Sequence, residues 1–249
     1  MVAVKVLVMV VGLRIIGPGY GDNMHMRAFF KQPGTTVALL VKSPKGGLIE
    51  LDRKVSRVAT FTDDKGTDMT KSVKRGKWGT KKAGFGAFPK ISKDTKACLV
   101  ELHSPIVPAK GAKIVKAAGT LVFKTATKKK TFKQTGVVLK VGTKIKAGKI
   151  PFEIVKTGKP KWGKAKLTIT LKTNRDILDI AAIRFLDAAD KPIKSTGAGG
   201  SAMRMGKNVT VNRSFNLFRK VESVTVAIDY WMDMKVVKVP FSVKTTVGL

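Results

Sequence analysis

The chain has 249 residues, and its formal net charge is +33 because 49 lysines and arginines face only 16 acidic residues. Hydrophobic residues make up 43% of the sequence, a share that supports packed cores and excludes wholesale disorder. The one cysteine, Cys98, and the two histidines, His25 and His103, exclude an intramolecular disulfide and the cysteine-rich zinc and iron–sulfur sites.

The N-terminal segment, residues 2–13, is strongly apolar and rich in valine. Its longest uninterrupted apolar stretch, residues 6–11, is shorter than the core of a typical export signal, and no small-residue cleavage site follows it. No window in the sequence offers the about 20 apolar residues that a transmembrane helix needs. The β-branched content favours a strand buried on both faces, with an atypical signal or membrane anchor as the alternative.

Further along the chain, short apolar runs are separated by glycine and proline. Residues 36–41 and 48–51 flank a Pro-Lys-Gly-Gly turn and predict a hairpin. Residues 176–182 are the one helix-like phrase, about two turns long at most. The glycine-rich stretch at 196–205 lies between strands and is interpreted as a flexible loop.

Apolar and polar side chains alternate in residues 98–103, 167–171, 224–230 and 237–243, which is the pattern of half-buried strands. Because Pro240 has no backbone N–H to donate, the last of these strands is expected at a sheet edge. Strands without intervening helices predict an all-β fold and argue against a parallel α/β sheet.

Each half of the chain holds about six or seven such strands, at a spacing near the roughly 8–12 residues typical of sandwiches. We therefore predict two tandem immunoglobulin-like antiparallel β-sandwiches, an N-terminal one at residues 1–126 and a C-terminal one at 127–249. A single larger sandwich is the alternative.

No constellation of side chains points to catalysis or to a cofactor. Neither histidine belongs to a metal-binding pair, and Cys98 lies on the apolar face of a predicted strand, where a buried, inert thiol is expected. Three carboxylates, Asp63, Asp64 and Asp68, indicate either a calcium site or, more simply, a turn held by side-chain hydrogen bonds. We therefore predict a protein that is not an enzyme and holds no cofactor.

The positive charge is concentrated in tracts without acidic residues. Residues 102–152 contain twelve lysines and no aspartate or glutamate before Glu153. Such a field attracts polyanions, although lysines on outward strand faces also serve solubility. Lysine outnumbers arginine 39 to 10, which argues against base-specific readout. The candidate contacts for a polyanion are Lys71, Lys74, Arg75, Lys77, Lys81, Lys82, Lys128, Lys129 and Lys130.

Several phrases together resemble a known family: P-G-T-T-V-A-L-L-V at 33–41, F-T-D-D-K-G-T-D at 61–68, F-G-A-F-P-K-I-S-K-D at 85–94, V-P-A-K-G-A at 107–112, G-K-P-K-W-G at 158–163, F-L-D-A-A-D-K-P-I at 185–193 and V-P-F-S-V-K-T-T-V-G-L at 239–249. In this order the chain resembles uncharacterised bacterial two-domain β-sandwich proteins that are thought to be exported. The resemblance implies the fold and an extracellular or cell-surface location, with the cytoplasm as the alternative. It implies no activity or site residue, since its phrases are turns and strand ends.

Two functions from different classes follow as expectations. The first is a structural protein that self-assembles through sheet edges into a filament, sheath or surface layer as a homo-oligomer or polymer. Its N-terminal strand either completes a neighbour's sheet or pairs within its own domain; the strand-exchange candidates are Val2, Val4, Val6, Val8 and Val10. The second is a basic module that binds nonspecific nucleic acid or an acidic glycan.

Overall fold

The computed structural model describes residues 6–17, 33–74, 79–160, 163–206 and 208–247. Strands account for 61% of the described residues and no helix is present among them, so the prediction of an all-β protein is confirmed. The strands are β1 Leu7–Ile16, β2 Gly34–Lys42, β3 Leu48–Leu51, β4 Arg57–Asp63, β5 Val73–Lys74, β6 Thr80–Lys81, β7 Gly84–Phe85, β8 Lys90–Ile91, β9 Ala97–Ser104, β10 Ile114–Thr125, β11 Lys129–Val138, β12 Lys144–Ile145, β13 Phe152–Gly158, β14 Leu167–Thr173, β15 Ile180–Leu186, β16 Ser195–Met205, β17 Asn208–Leu217, β18 Ser223–Trp231 and β19 Lys235–Thr246.

The chain forms two compact units. Unit 1 contains Met1–Thr127 and Met234–Leu249, and unit 2 contains Lys128–Asp233. The expected division into residues 1–126 and 127–249 differs from this in the placement of the C-terminal strand. β19 pairs along its whole length with β10, from Ile114 opposite Thr246 to Thr125 opposite Lys235, and thereby returns to unit 1.

Unit 1 has two antiparallel sheets. Sheet A has the order β1-β2-β9-β7, with β8 also paired to β9, and sheet B has the order β19-β10-β3, with β4 also paired to β10. Both sheets contribute to one hydrophobic core, in which Leu39 and Val100 of sheet A meet Leu121 and Phe123 of sheet B. A two-stranded hairpin of β5 and β6, sheet C, completes the unit.

Unit 2 is also built from two antiparallel sheets on one core. Sheet D has three strands in the order β11-β18-β15, and sheet E has five in the order β12-β13-β14-β17-β16. Phe185 and Ile228 of sheet D and Ile154 and Ile169 of sheet E are buried in the shared core. Sheet D has two fewer strands than sheet E, and β15 and β16 are their edge strands on one side of this unit.

The alternating patterns in the sequence predicted several strands well. Cys98, Val100 and Leu102 of β9 are buried, as the alternation requires, because side chains in a strand point to opposite faces in turn. β19 lies at the edge of sheet B, which confirms the position that Pro240 predicts.

Other predictions from the sequence were wrong. Residues 36–41 and 48–51 do form strands, but they do not pair as a hairpin, since β2 lies in sheet A between β1 and β9 while β3 pairs with β10 in sheet B. The turn between them therefore crosses from one sheet to the other.

The expected helix at residues 176–182 is also wrong. Asp176 accepts a hydrogen bond from the backbone N–H of Leu178, and the N–H of Ile180 bonds the carbonyl of Ile177, so the chain makes a turn and enters β15. The glycine-rich stretch at 196–205, expected to be a loop, is the edge strand β16, which pairs with β17. β1 is an edge strand with one partly exposed face rather than a strand buried on both faces.

One lateral side of unit 2 is closed by the segment 139–151, which carries β12. This segment buries Ile145 and Ile150 in the core. The buried hydroxyl of Tyr230 donates a hydrogen bond to the carbonyl of Ala147 at 2.9 Å and accepts one from the N–H of Ile150 at 3.2 Å. The phenol therefore ties β18 to the segment that covers this side of the core.

We predict that Tyr230→Phe destabilises the protein while leaving its secondary structure intact. The substitution leaves the buried N–H of Ile150 and carbonyl of Ala147 without a partner, which costs about 1–3 kcal/mol of unfolding free energy. Chemical denaturation followed by intrinsic fluorescence measures this loss. A change below about 0.5 kcal/mol, the range of ordinary surface substitutions, would contradict the assigned role of the hydroxyl.

Candidate interaction surfaces

Cys98 and His103 both lie on β9 of unit 1, Cys98 in the core and His103 beside Thr36. Burial raises the pKa of the Cys98 thiol to about 11, so the thiolate that acts as a nucleophile is disfavoured. His103 is bonded to the hydroxyl of Thr36 at 3.2 Å, and His25 lies outside the described residues. Within the described ranges, no three histidine, cysteine, aspartate or glutamate side chains are grouped to hold a metal ion.

The acidic cluster of unit 1 is a turn clamp. One carboxylate oxygen of Asp63 accepts hydrogen bonds from the N–H groups of Lys65 and Thr67 at 2.9 and 2.8 Å, and the other accepts one from Ala109 at 2.7 Å. Burial acts to raise the pKa of Asp63, but these backbone donors outweigh it and hold the pKa at about 2. The arrangement supports the turn interpretation, since both oxygens already face N–H donors.

The two neighbouring carboxylates have similar structural roles. Asp64 accepts from the N–H of Lys113 at 3.0 Å, and Asp68 accepts from the N–H and the hydroxyl of Thr70 at 2.9 and 2.6 Å. Asp63 and Asp64 therefore fasten the turn after β4 to the residues preceding β10, while Asp68 holds its own local turn.

The first lysine tract lies on the β5–β6 hairpin of unit 1. Lys71, Lys74, Lys81 and Lys82 are all exposed, and none of them belongs to a salt bridge among the described residues. Arg75, Lys77 and the adjacent Trp78 lie outside the described residues. The hairpin brings Lys74 opposite Thr80 and Lys81 opposite Val73, which concentrates positive charge on a small surface.

The second tract, Lys128 to Lys130, begins unit 2 and runs into β11. Its ammonium groups are less free than the sequence indicated, because Lys129 lies over the ring of Trp231 at 4.4 Å and Lys130 over Phe132 at 5.2 Å. Because these cation–π contacts stabilise the local structure, the two ammonium groups are less available to bind a polyanion. The tract belongs to a different unit from the β5–β6 hairpin.

The edge strand β1 presents apolar side chains on both of its faces. Val6, Val8 and Val10 pack against the core of unit 1, and Val8 and Val10 lie opposite Val41 and Leu39 of β2. In this single chain the strand is thus paired within its own domain, the alternative to strand exchange. Val2 and Val4 lie outside the described residues.

The face of β1 that points away from the core is partly exposed. Leu7 is 48% exposed and Val11 is 50% exposed, the latter at a bulge between Val10 and Gly12. No pattern in the sequence indicates this surface, because an uninterrupted apolar run is equally typical of an edge strand and of a strand covered on both sides. A free strand edge with exposed apolar side chains is a template for pairing with another chain.

β19, the edge strand of sheet B, is protected in the way that edge strands commonly are. β19 alternates buried Val239 and Phe241 with exposed Lys238, Pro240 and Lys244. Proline and lysine at an edge discourage pairing with a further strand. β1 carries one charged residue, Arg14, near its end and has no proline, so the two edges differ sharply.

A groove runs between the sheets on one lateral side of unit 2, and no pattern in the sequence indicates it. It has a volume of about 470 Å³ and is lined by Ile177, Ile180, Ile183, Gly197, Gly200 and Phe215, with Gly199, Arg213 and Ser214 at its walls. The glycines belong to β16, the segment for which the sequence predicted a loop. Apolar surface of the core is therefore left open here.

Comparisons with protein-family models, with curated proteins and with solved structures gave no significant match. The resemblance to bacterial two-domain β-sandwich proteins therefore stays a prediction. None of the described residues forms a helix of the length and apolarity needed to cross a membrane.

The clamp at Asp63 predicts a pH-dependent contribution to stability. Because the pKa of Asp63 is about 2 in the folded chain and 3.8 is its ordinary value, the carboxylate stabilises the fold above about pH 4, and this is lost as the pH falls toward 2. In Asp63→Asn an amide N–H faces a backbone donor, so we expect the variant to be less stable than the parent at pH 7. Its stability should also fall less steeply as the pH is lowered, which thermal unfolding at several pH values measures.

A matched control is Asp52→Asn, because Asp52 accepts a single exposed hydrogen bond from the N–H of Lys54. It should cost much less stability at pH 7 than Asp63→Asn. Equal, small effects of the two substitutions would show that the clamp does not hold the turn.

Proposed function

We propose that this chain is a non-enzymatic structural protein that self-assembles through its sheet edges into a filament, sheath or surface layer. The observation that carries the proposal is the edge of β1, ten residues long, whose outer side chains Leu7 and Val11 are about half exposed. We also propose that each unit is an immunoglobulin-like sandwich, which is supported by the two antiparallel sheets on one core in each.

The contrast between edges supports assembly rather than incidental exposure. Long, flat apolar edges are an aggregation hazard that soluble proteins avoid with charge, proline or bulges. This chain uses lysine and Pro240 on β19 and lysine on β11, yet leaves β1 with a single bulge. Because this chain protects its other strand edges, we interpret the unprotected edge of β1 as the site at which a strand of another copy pairs.

The charge sets a condition on assembly. Copies that each carry +33 repel one another at contact, and the repulsion extends over a Debye length of about 10 Å at 0.1 M salt. Assembly therefore requires a saline medium, an acidic partner or a bound polyanion. An extracellular or cell-surface location, which we propose with the function, suits a sheath or layer of this kind.

A second candidate function is binding to a polyanion through the β5–β6 hairpin. The observation that favours it is the cluster of exposed Lys71, Lys74, Lys81 and Lys82, which have no salt bridge within the described residues. Lysine ammonium groups bind phosphates or sulfates as point charges, without base specificity. The two functions are compatible, because a bound polyanion would also lower the repulsion between copies.

We predict that Val11→Lys prevents self-association. The new charge lies on the exposed edge of β1, where it opposes the approach of another strand, and it replaces a side chain that is 50% exposed, so the fold should persist. The matched control is Val55→Lys, since Val55 is also 50% exposed but lies in the turn between β3 and β4. Sedimentation velocity at about 0.5 M salt, where charge repulsion is screened, compares the variants with the parent protein.

The parent chain and Val55→Lys should form large species under these conditions, and Val11→Lys should stay monomeric. A parent chain that remains monomeric over the whole range of salt and protein concentration would overturn the structural function. Assembly by Val11→Lys equal to that of the parent would exclude β1 as the assembling edge.

We further predict that replacing Lys74 and Lys81 by glutamate weakens binding to duplex DNA, used as a model polyanion. Each phosphate contact contributes about −0.9 to the slope of log affinity against log salt, so the double variant should show a flatter slope. The control replaces Lys235 and Lys238 of β19 in the same way, which gives the same change in net charge. Equal losses in both variants would show a diffuse charge effect and no site on the hairpin.

A further inference from the structure

We propose that β1 of one copy adds to the free edge of β15 in unit 2 of a second copy, with the outer face of β1 covering the groove between β15 and β16. This inference rests on the proposed structural function and names the surface that receives β1. It unites two features that the single chain leaves unexplained, namely an apolar strand face and an apolar groove.

The groove exists because sheet D is shorter than sheet E on this side. Sheet D has three strands and ends at β15, whereas sheet E has five and ends at β16. On the other lateral side the segment 139–151 covers the core, with Ile145 and Ile150 buried. No corresponding segment of the described residues covers Ile180, Ile183 and Phe215, which stay partly exposed in the groove.

The wall opposite β15 is shaped to leave room for side chains from elsewhere. β16 places Gly197, Gly199 and Gly200 along the groove, so it contributes no side chains there. A Cβ atom built on Gly197 meets no other atom within 4 Å. An additional strand beside β15 would fill this space with its inward side chains, as neighbouring strands in a sandwich do.

The outer edge of β15 is available for pairing. Its inner neighbour is β18, with Ile183 opposite Ile228. On the outer side, the described contacts involve its last residues, where the N–H of Ile193 bonds the carbonyl of Phe185 and Leu186 forms a bridge with Pro192. The middle of the strand is left free to bind the backbone of a further strand.

The face of β1 that turns away from its own core has the chemistry that the groove requires. Leu7, Met9 and Val11 are absent from the side chains that pack on the unit 1 core, and two of them are about half exposed. When β1 continues sheet D, this face can share a side with Ile183, while Val8 and Val10 stay on their own core. No strand has to leave its sheet for the contact to form.

Charge complementarity also favours β1 over a second β15 strand as the occupant. Four carboxylates flank β15, and three of them, Asp176, Asp187 and Asp190, already form salt bridges with Arg204, Arg219 and Lys133. Asp179 forms no salt bridge with any of the described residues.

β1 carries a basic side chain, Arg14, near its C-terminal end. When β1 pairs antiparallel to β15, Arg14 comes to the end of β15 that Asp179 precedes, and the two charges attract each other. This attraction is local, and it acts within the general repulsion between copies.

The contact joins two different surfaces, one in unit 1 of the first copy and one in unit 2 of the second. Contacts between unlike surfaces repeat from copy to copy, and they form open filaments when the rotation between copies does not close a ring. The inference therefore predicts a linear polymer in which every copy donates β1 and receives the β1 of its neighbour.

The test fills the groove. Gly197→Ile places an apolar side chain in the open space at Gly197, where the backbone needs no positive φ and a Cβ has no close neighbour. The matched control is Gly158→Ile, because Gly158 ends β13 in the same sheet and its Cβ also meets nothing within 4 Å. Circular dichroism and thermal unfolding establish that both variants are folded.

We expect self-association of Gly197→Ile, measured by sedimentation at about 0.5 M salt, to be at least about tenfold weaker than that of the parent chain. Gly158→Ile should associate as the parent does. If the parent assembles and Gly197→Ile assembles equally well, the groove is not the receiving surface, although the structural function stands. If the parent does not assemble at all, both the function and this inference fail.

Cysteine cross-linking identifies the occupant independently. Leu7→Cys, Met9→Cys and Val11→Cys are each mixed with Ile183→Cys under mild oxidation, and the native Cys98 stays buried with its pKa raised to about 11. Residues directly opposite on adjacent strands have Cβ atoms about 4.5–5.5 Å apart, close enough for a disulfide after a small shift. A covalent dimer formed from at least one mixture and from neither variant alone supports the inference.

Two other outcomes overturn it. A dimer of Ile183→Cys alone would show that two β15 strands pair with each other. Dimers of a β1 variant with itself, with no dimer in the mixtures that joins a β1 variant to Ile183→Cys, would show that two β1 strands pair and that the groove is not used.

Discussion

The constraint on which the rest of this structure depends is the unpaired strand edge. A protein built entirely of open antiparallel sheets has backbone N–H and C=O groups at the end of every sheet, and each must be guarded, covered or paired. This chain guards β19 with lysine and Pro240 and covers one side of unit 2 with the segment 139–151. It leaves β1 and β15 open, and both lie beside apolar surface. We propose self-assembly as the explanation for both.

The charge of +33 and the open edges oppose each other, and this opposition makes assembly conditional. Repulsion between copies acts over about a Debye length, whereas strand pairing acts only at contact, so salt or a polyanion controls whether copies approach. The same balance explains how this chain can tolerate an apolar edge. The lysine-rich β5–β6 hairpin is the part of unit 1 best placed to bind a counter-charge without occupying β1.

Local patterns in the sequence predicted individual strands, but not their partners. Alternation located β9, β18 and β19, and Pro240 placed β19 at an edge, because both signals depend on one strand's own residues. The pairing of β3 with β10 is set by contacts far apart in the sequence. β16 was missed because glycines carry no side chain whose alternation can be read. The groove follows from β16 and from the end of sheet D at β15, so no single segment of the sequence indicated it.

The most direct test of the central claim is amide hydrogen exchange, followed residue by residue at low and at high protein concentration in about 0.5 M salt. Edge pairing predicts that the amides of β1 and β15 exchange more slowly in the concentrated, assembled sample, while those of β19 exchange at the same rate in both. Exchange in β1 and β15 that stays the same when the protein assembles would contradict the account.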